Sequence, residues 1–89
     1  MQTKVVSASS QVVAYTAALS GYSISAGGSA CIVNLREEDG SGNILFQIKV
    51  AANDSKHYFE GSEDAVPFNG GLYVEFATGT PDHCAVFWD

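Results

Sequence analysis

The chain has 89 residues, of which 46% are hydrophobic, and its 10 acidic and 4 basic side chains give a formal net charge of −6 at pH 7. This length supports one domain over residues 1–89, and the low charged fraction argues against disorder. The cations are scattered and form no basic stripe, which argues against binding to nucleic acid; they are Lys4, Arg36, Lys49 and Lys56.

Short strands separated by turns are the pattern along the whole chain. Val, Ile, Thr and aromatic residues make up 27 of the 89 residues, and nine glycines punctuate them, which is typical of β structure. The Ala-rich segment 11–19 lacks a helical apolar stripe, so we interpret it as extended. Seven or eight strands are predicted, at about residues 3–7, 12–17, 22–26, 29–36, 44–50, 57–60, 71–77 and 83–88.

The turns predict antiparallel pairing. Asp39-Gly40 lies between two apolar runs and predicts a hairpin of 29–36 with 44–50. The oxygen-bearing side chains of this loop also resemble a calcium loop, but the bidentate Glu and flanking helices of an EF-hand are missing, so the turn is favoured. A second hairpin is predicted at 78–81, and Asn69-Gly70-Gly71 predicts positive φ before the strand at Leu72.

These elements predict an all-β fold, a single antiparallel β-sandwich that is Ig-like or jelly-roll-like. Side chains alternate between the two faces of a strand, and the alternation is clearest in two of the predicted strands. The predicted core is formed by Ile44, Phe46, Ile48, Val50, Leu72, Val74 and Phe76.

The N-terminal third is almost uncharged. Residues 1–30 contain only one charged side chain, Lys4. Such strands form either the inner layer of the sandwich or a contact surface, since an edge without charges pairs readily with another chain. Residues 1–10 are a candidate extended arm. No signal peptide or membrane-spanning stretch is visible, so we expect a soluble protein made in a cytoplasm.

The side chains give no strong indication of chemistry. Cys31 and Cys84 have no metal-finger spacing, and free thiols are favoured over a disulfide because no export signal is visible. His57, His83 and Ser55 are present, but no sharp turn presents a nucleophile. We therefore expect no enzymatic activity, no cofactor and no metal.

Aromatic residues are concentrated in the last third. In Tyr58-Phe59 and Phe87-Trp88, neighbouring side chains point to opposite faces, so one of each pair is expected to face outward. Outward aromatics are typical of protein contacts and of sugar-binding platforms. The candidate protein-contact residues are Lys4, Val5, Val6, Tyr58, Tyr73 and Trp88.

The order of motifs over residues 22–88 resembles that of small β-sandwich virion proteins of tailed bacteriophages. The resemblance lies in the runs 29–36, 39–40, 44–46, 52–55 and 69–75. It implies a structural protein of the virion, assembled in the host cytoplasm as a capsid decoration (cement) protein or a neck or tail component. Its expected partners are the major capsid protein or neck and tail proteins, and copies of itself, with neither nucleic acid nor membrane. The alternative is a carbohydrate-binding module, or a receptor-binding adhesin of a tail.

Overall fold

Nine strands form two sheets in the computed structural model, which describes residues 1–59 and 65–89. Within those residues the chain contains no helix. The strands are β1 (Gln2–Val5), β2 (Ser10–Val13), β3 (Ala17–Ser25), β4 (Cys31–Glu37), β5 (Ile44–Val50), β6 (Ser55–Phe59), β7 (Val66–Phe68), β8 (Leu72–Thr78) and β9 (His83–Trp88).

The two sheets form a sandwich with jelly-roll connectivity. Sheet A has the order β1-β9-β3-β6 with β7 also paired to β3, and sheet B has the order β2-β8-β4-β5. Every pairing is antiparallel. One long two-stranded ribbon contains, from its closed end, the pairs β4 with β5, β3 with β6 and β7, β2 with β8 and β1 with β9. Winding such a ribbon into two sheets gives a double Greek key. The predicted antiparallel sandwich is confirmed, with nine strands.

The closed end of the ribbon, where β4 turns into β5, is the predicted turn around Asp39. The Asp39 carboxylate accepts a hydrogen bond from the Ser41 N–H at 2.8 Å, and the Gly42 N–H donates to the Asp39 carbonyl at 3.0 Å. Glu38 adopts a φ of 72°, a left-handed conformation. The hairpin of β4 and β5 is confirmed, and the Asp39 carboxylate caps the turn.

The hairpin predicted at residues 78–81 is wrong. Strand β8 belongs to sheet B and β9 to sheet A, so this turn carries the chain from one sheet to the other. Gly79 has a φ of 66° at the crossing. The same turn residues can join two strands of one sheet or carry the chain between two sheets. Because β8 and β9 bury apolar side chains in either case, the local sequence does not distinguish these two connections. The positive φ predicted before Leu72 is confirmed at Gly70 and Gly71, with φ of 81° and 143°.

Other strand predictions also need correction. The predicted strands 12–17 and 22–26 are instead β2 and the nine-residue β3. Strand β7 was not predicted, because it has three residues and contains Pro67. The strand predicted at 57–60 begins earlier, at Ser55, and its last residue lies outside the described part of the chain.

The core lies between the two sheets. Of the seven predicted core residues, Ile48, Val50, Leu72 and Val74 are buried, while the two phenylalanines pack at the core margin. Ile44 is 43% exposed, so its prediction is wrong; it begins the edge strand β5, opposite a register shift in β4. The remaining buried cluster is formed by Val6, Val13, Leu19, Ile24, Ala26, Cys31, Val33, Leu35, Phe68, Cys84, Val86 and Trp88.

The N-terminal residues are part of sheet A. Residues 2–5 pair with β9 as an edge strand, and the Val6 N–H donates to the Cys84 carbonyl at 2.8 Å. Val6 is buried, whereas the adjacent Val5 is 61% exposed. Residues 1–6 therefore both complete the sandwich and present an open edge, and they do not extend as an arm.

Candidate interaction surface

The outer surface of sheet A carries no charged side chain at any described strand position. Core residues alternate along the strands of this sheet, so their neighbours point outward. These outward residues are called the uncharged face: Thr3, Val5, Ala18, Gly21, Ser23, Ser25, Ser55, His57, Phe59, Pro67, His83, Ala85 and Phe87. None of them is Asp, Glu, Lys or Arg, although the whole chain has 14 such residues.

Two phenylalanines form the most apolar part of the uncharged face. The rings of Phe59 and Phe87 lie 5.0 Å apart between centroids, tilted by 34°. Both residues are paired with Gly21 in the strand between them. A Cβ at Gly21 would collide with the Tyr58 carbonyl oxygen and lie 3.2 Å from Cδ1 of Phe59. The absence of a side chain at Gly21 thus gives the two rings room to meet, and Phe59 stays 59% exposed.

Both histidines of the chain lie on the uncharged face. The Ser23 hydroxyl and His57 Nδ1 form a hydrogen bond of 2.8 Å between neighbouring strands, with both side chains open to solvent. His83 is paired with Ser25 and is exposed. The polar groups of this face are therefore hydroxyls and imidazoles.

The outer surface of sheet B is built differently. Arg36 and Asn34 on β4 both donate hydrogen bonds to Oε1 of Glu75 on β8, at 3.1 and 2.8 Å. These hydrogen bonds lower the pKa of Glu75 below its ordinary range, and the bond from Asn34 has a larger effect than the bond from Arg36. Lys49 on β5 points to the same side. The outer surface of sheet B thus presents charged side chains, of which Arg36 and Glu75 are paired, whereas the described strand positions on the outer surface of sheet A present none.

The candidate contact residues do not form one surface. Lys4 and Val5 are exposed on β1, whereas Val6 and Trp88 are buried in the core, so their assignment to a surface is corrected. Trp88 points inward because it pairs with Leu19, and its indole N–H donates to the Tyr15 hydroxyl at 3.1 Å. Of the candidate contact residues, only Val5 belongs to the uncharged face.

The two candidate tyrosines are half-buried and lie on different sides of the sandwich. Tyr58 packs against Tyr22 and Phe46, with ring centroids 5.5 and 5.4 Å away, and these three rings fill the side of the sandwich between β5 and β6. Tyr73 lies outside sheet B against Gly40, where an added Cβ would come within 3.3 Å of the tyrosine Cζ. Both tyrosines therefore serve packing within the chain.

The expectation that one member of each aromatic pair faces outward is confirmed, by Phe59 and Phe87. These two residues are the ones that the candidate set missed. Strand alternation indicated that one member of each pair is exposed. Which one depends on the sheet register, which pairs Phe59 and Phe87 with Gly21 and pairs Trp88 with the buried Leu19.

Both cysteines are buried as free thiols, in agreement with the sequence. Burial raises the pKa of Cys31 and, together with the nearby Cys31 sulfur, raises the pKa of Cys84 to about 12. Thiols in this state are poor nucleophiles, because the thiolate is the reactive form.

Within residues 1–59 and 65–89 we find no pocket, no group of three or more side chains placed to hold a metal ion, and no helix long and apolar enough to cross a bilayer. Comparisons with protein-family models, with curated proteins and with solved structures give no match to this chain.

Proposed function

We propose that the chain is a non-enzymatic structural protein of a tailed-phage virion, a capsid decoration (cement) protein that works through protein contacts. The observation that carries the proposal is the uncharged face. A protein with a net charge of −6 places no charge at the described strand positions of the outer surface of sheet A and leaves Phe59 exposed there. Charge depletion and exposed aromatic rings are typical of the core of a protein interface.

The fold is compatible with this role. Jelly rolls occur in viral capsid proteins and in lectins, among other classes. Because one fold serves many functions, this is support by analogy, and it adds to the resemblance of residues 22–88 to phage virion proteins. The partners in this proposal are the major capsid protein or neck and tail proteins, together with copies of the chain itself, and the place of action is the virion.

A second candidate function is carbohydrate binding, as a module or as part of a tail adhesin. The exposed Phe59 ring lies on the same face as the hydrogen-bonded Ser23 and His57. An aromatic surface beside hydroxyl and imidazole groups is the arrangement that stacks a sugar ring and binds its hydroxyls. Because jelly rolls also occur in lectins, the fold supports carbohydrate binding by the same kind of analogy.

Mass spectrometry of gradient-purified tailed-phage particles from the strain that carries the gene tests the proposal. We expect tryptic peptides of the chain in the particles, and immunogold label on their surface from an antibody against the purified protein. Particles that lack the chain would contradict the proposal. A glycan array probed with the purified protein tests the alternative, and binding lost in Phe59→Ala would favour the sugar-binding function.

A further inference from the structure

We propose that the uncharged face joins two copies of this chain, face to face, across a two-fold axis. This inference rests on the proposed function, because it names the partner that the same protein-contact surface binds. It identifies the outward residues of sheet A as an isologous interface, in which the same patch is used by both subunits.

Charge favours a second copy as the partner. With 10 acidic and 4 basic residues, contact through charged sides of two copies would bring like charges together, which disfavours association. The described strand positions of the uncharged face avoid this repulsion. A partner with charged contact residues would lose their hydration and find no opposite charge on this face. The surface that best matches an uncharged, partly apolar sheet is another surface of the same kind.

The area is also sufficient. A stable interface of standard size buries roughly 800 Å² on each partner. The accessible surface of this chain is 4617 Å², and its dimensions are 34 × 27 × 17 Å, so much of that surface lies on two broad sides. One broad side of the sandwich is therefore large enough for an interface of this class.

The relief of the face suits self-packing. The ring pair of Phe59 and Phe87 lies beside the middle of β3, and smaller side chains follow it toward the C-terminal end of the strand, at Ser23 and Ser25. A two-fold axis that lies in the plane of the interface, across the strands, places the rings of each copy over the smaller side chains of the other. Face-to-face sheets in proteins pack in this way, with side chains of one sheet filling the spaces of the next.

Sedimentation velocity of the purified protein, over the micromolar to millimolar range, tests the inference. We expect a concentration-dependent dimer. Phe59→Asp adds a charge in the centre of the apolar region and should weaken the dimer by at least about 30-fold, the loss typical of an interface hot spot. Ile44→Asp is the matched control, since it changes another exposed apolar edge residue, 43% exposed, on sheet B, and should leave the dimer unchanged.

A second variant keeps the test valid if Phe59→Asp does not fold. Ser23→Arg places a charge on the middle strand of the uncharged face and should also weaken the dimer. Circular dichroism and thermal melts establish that each variant is folded. A wild type that stays monomeric, an oligomer that both face variants leave intact, or one that the control disrupts equally would overturn the inference. Because this assay contains no particles, its failure is separate from failure of the proposed virion role.

Discussion

Phe59 and Phe87 meet on the outside of the sandwich, 5.0 Å apart between ring centroids, across a strand position that has no side chain. Their contact explains why Gly21 stands in the middle of β3, where glycine weakens a strand through lost packing and entropy. The three residues form the apolar region of a sheet surface without charge at its described strand positions, and that surface is the basis of the functional proposal.

Replacing Gly21 tests this arrangement. Gly21→Ala should lower the free energy of unfolding by about 1–3 kcal/mol, because the added Cβ collides with the Tyr58 backbone and crowds Phe59. Urea denaturation measures the change. Gly28→Ala is the control, since no atom lies within 4 Å of a Cβ there, and it should be neutral to about 0.5 kcal/mol. Equal stability of the two variants would contradict the described packing.

Neighbouring valines at the N-terminus test whether residues 1–6 belong to the sandwich. Val6 is 5% exposed and Val5 is 61% exposed. Val6→Ala should cost about 2 kcal/mol of stability, because it leaves a cavity in the core, whereas Val5→Ala should cost less than about 0.5 kcal/mol. Denaturation curves of the two variants compare the costs. Similar values for both would mean that the N-terminus does not pack as described.

Much of the sandwich can be predicted from the sequence, and the misses have physical causes. Strict alternation in 44–50 and 72–76 and the Asp39-Gly40 turn give the β4–β5 hairpin and part of the core, because they reflect local geometry. Strand β3 was divided because its Ala, Ser and Gly residues alternate weakly and Ser20 forms a bulge. The uncharged face was missed for another reason. Its residues come from five strands, and only the register brings them together.

The thiols should be inaccessible in the folded protein. Because burial and the neighbouring Cys31 raise the pKa of Cys84 to about 12, neither cysteine should react with a thiol reagent at mildly alkaline pH until the chain unfolds. Denaturation without reductant should then release both of the two thiols. The unfolded thiols lose their protons at lower pH than the folded ones, so stability should fall as pH rises above about 8.5. A disulfide in freshly prepared protein would contradict this account.

The Glu75 hydrogen bonds should give a stability contribution that depends on pH. Because Asn34 and Arg36 lower the pKa of Glu75, the folded chain keeps this carboxylate ionised at a pH where the unfolded chain binds a proton. The contribution is complete above the ordinary glutamate pKa of about 4.3 and is lost as pH falls through the lower folded value. Urea midpoints of the wild type and Glu75→Gln should therefore converge on acidification. A difference that stays constant with pH would contradict the ion pair.

The central claim is that the uncharged face is the surface by which this chain binds protein, and histidine footprinting tests it most directly. Both histidines lie on that face and are exposed, while Lys49 lies on the outer side of sheet B. Diethylpyrocarbonate should label His57 and His83 in the free monomer and neither of them in the particle-bound chain. A lysine reagent should label Lys49 in both. Equal labelling of the histidines in the monomer, at a concentration too low for dimers, and in the bound protein would contradict the claim.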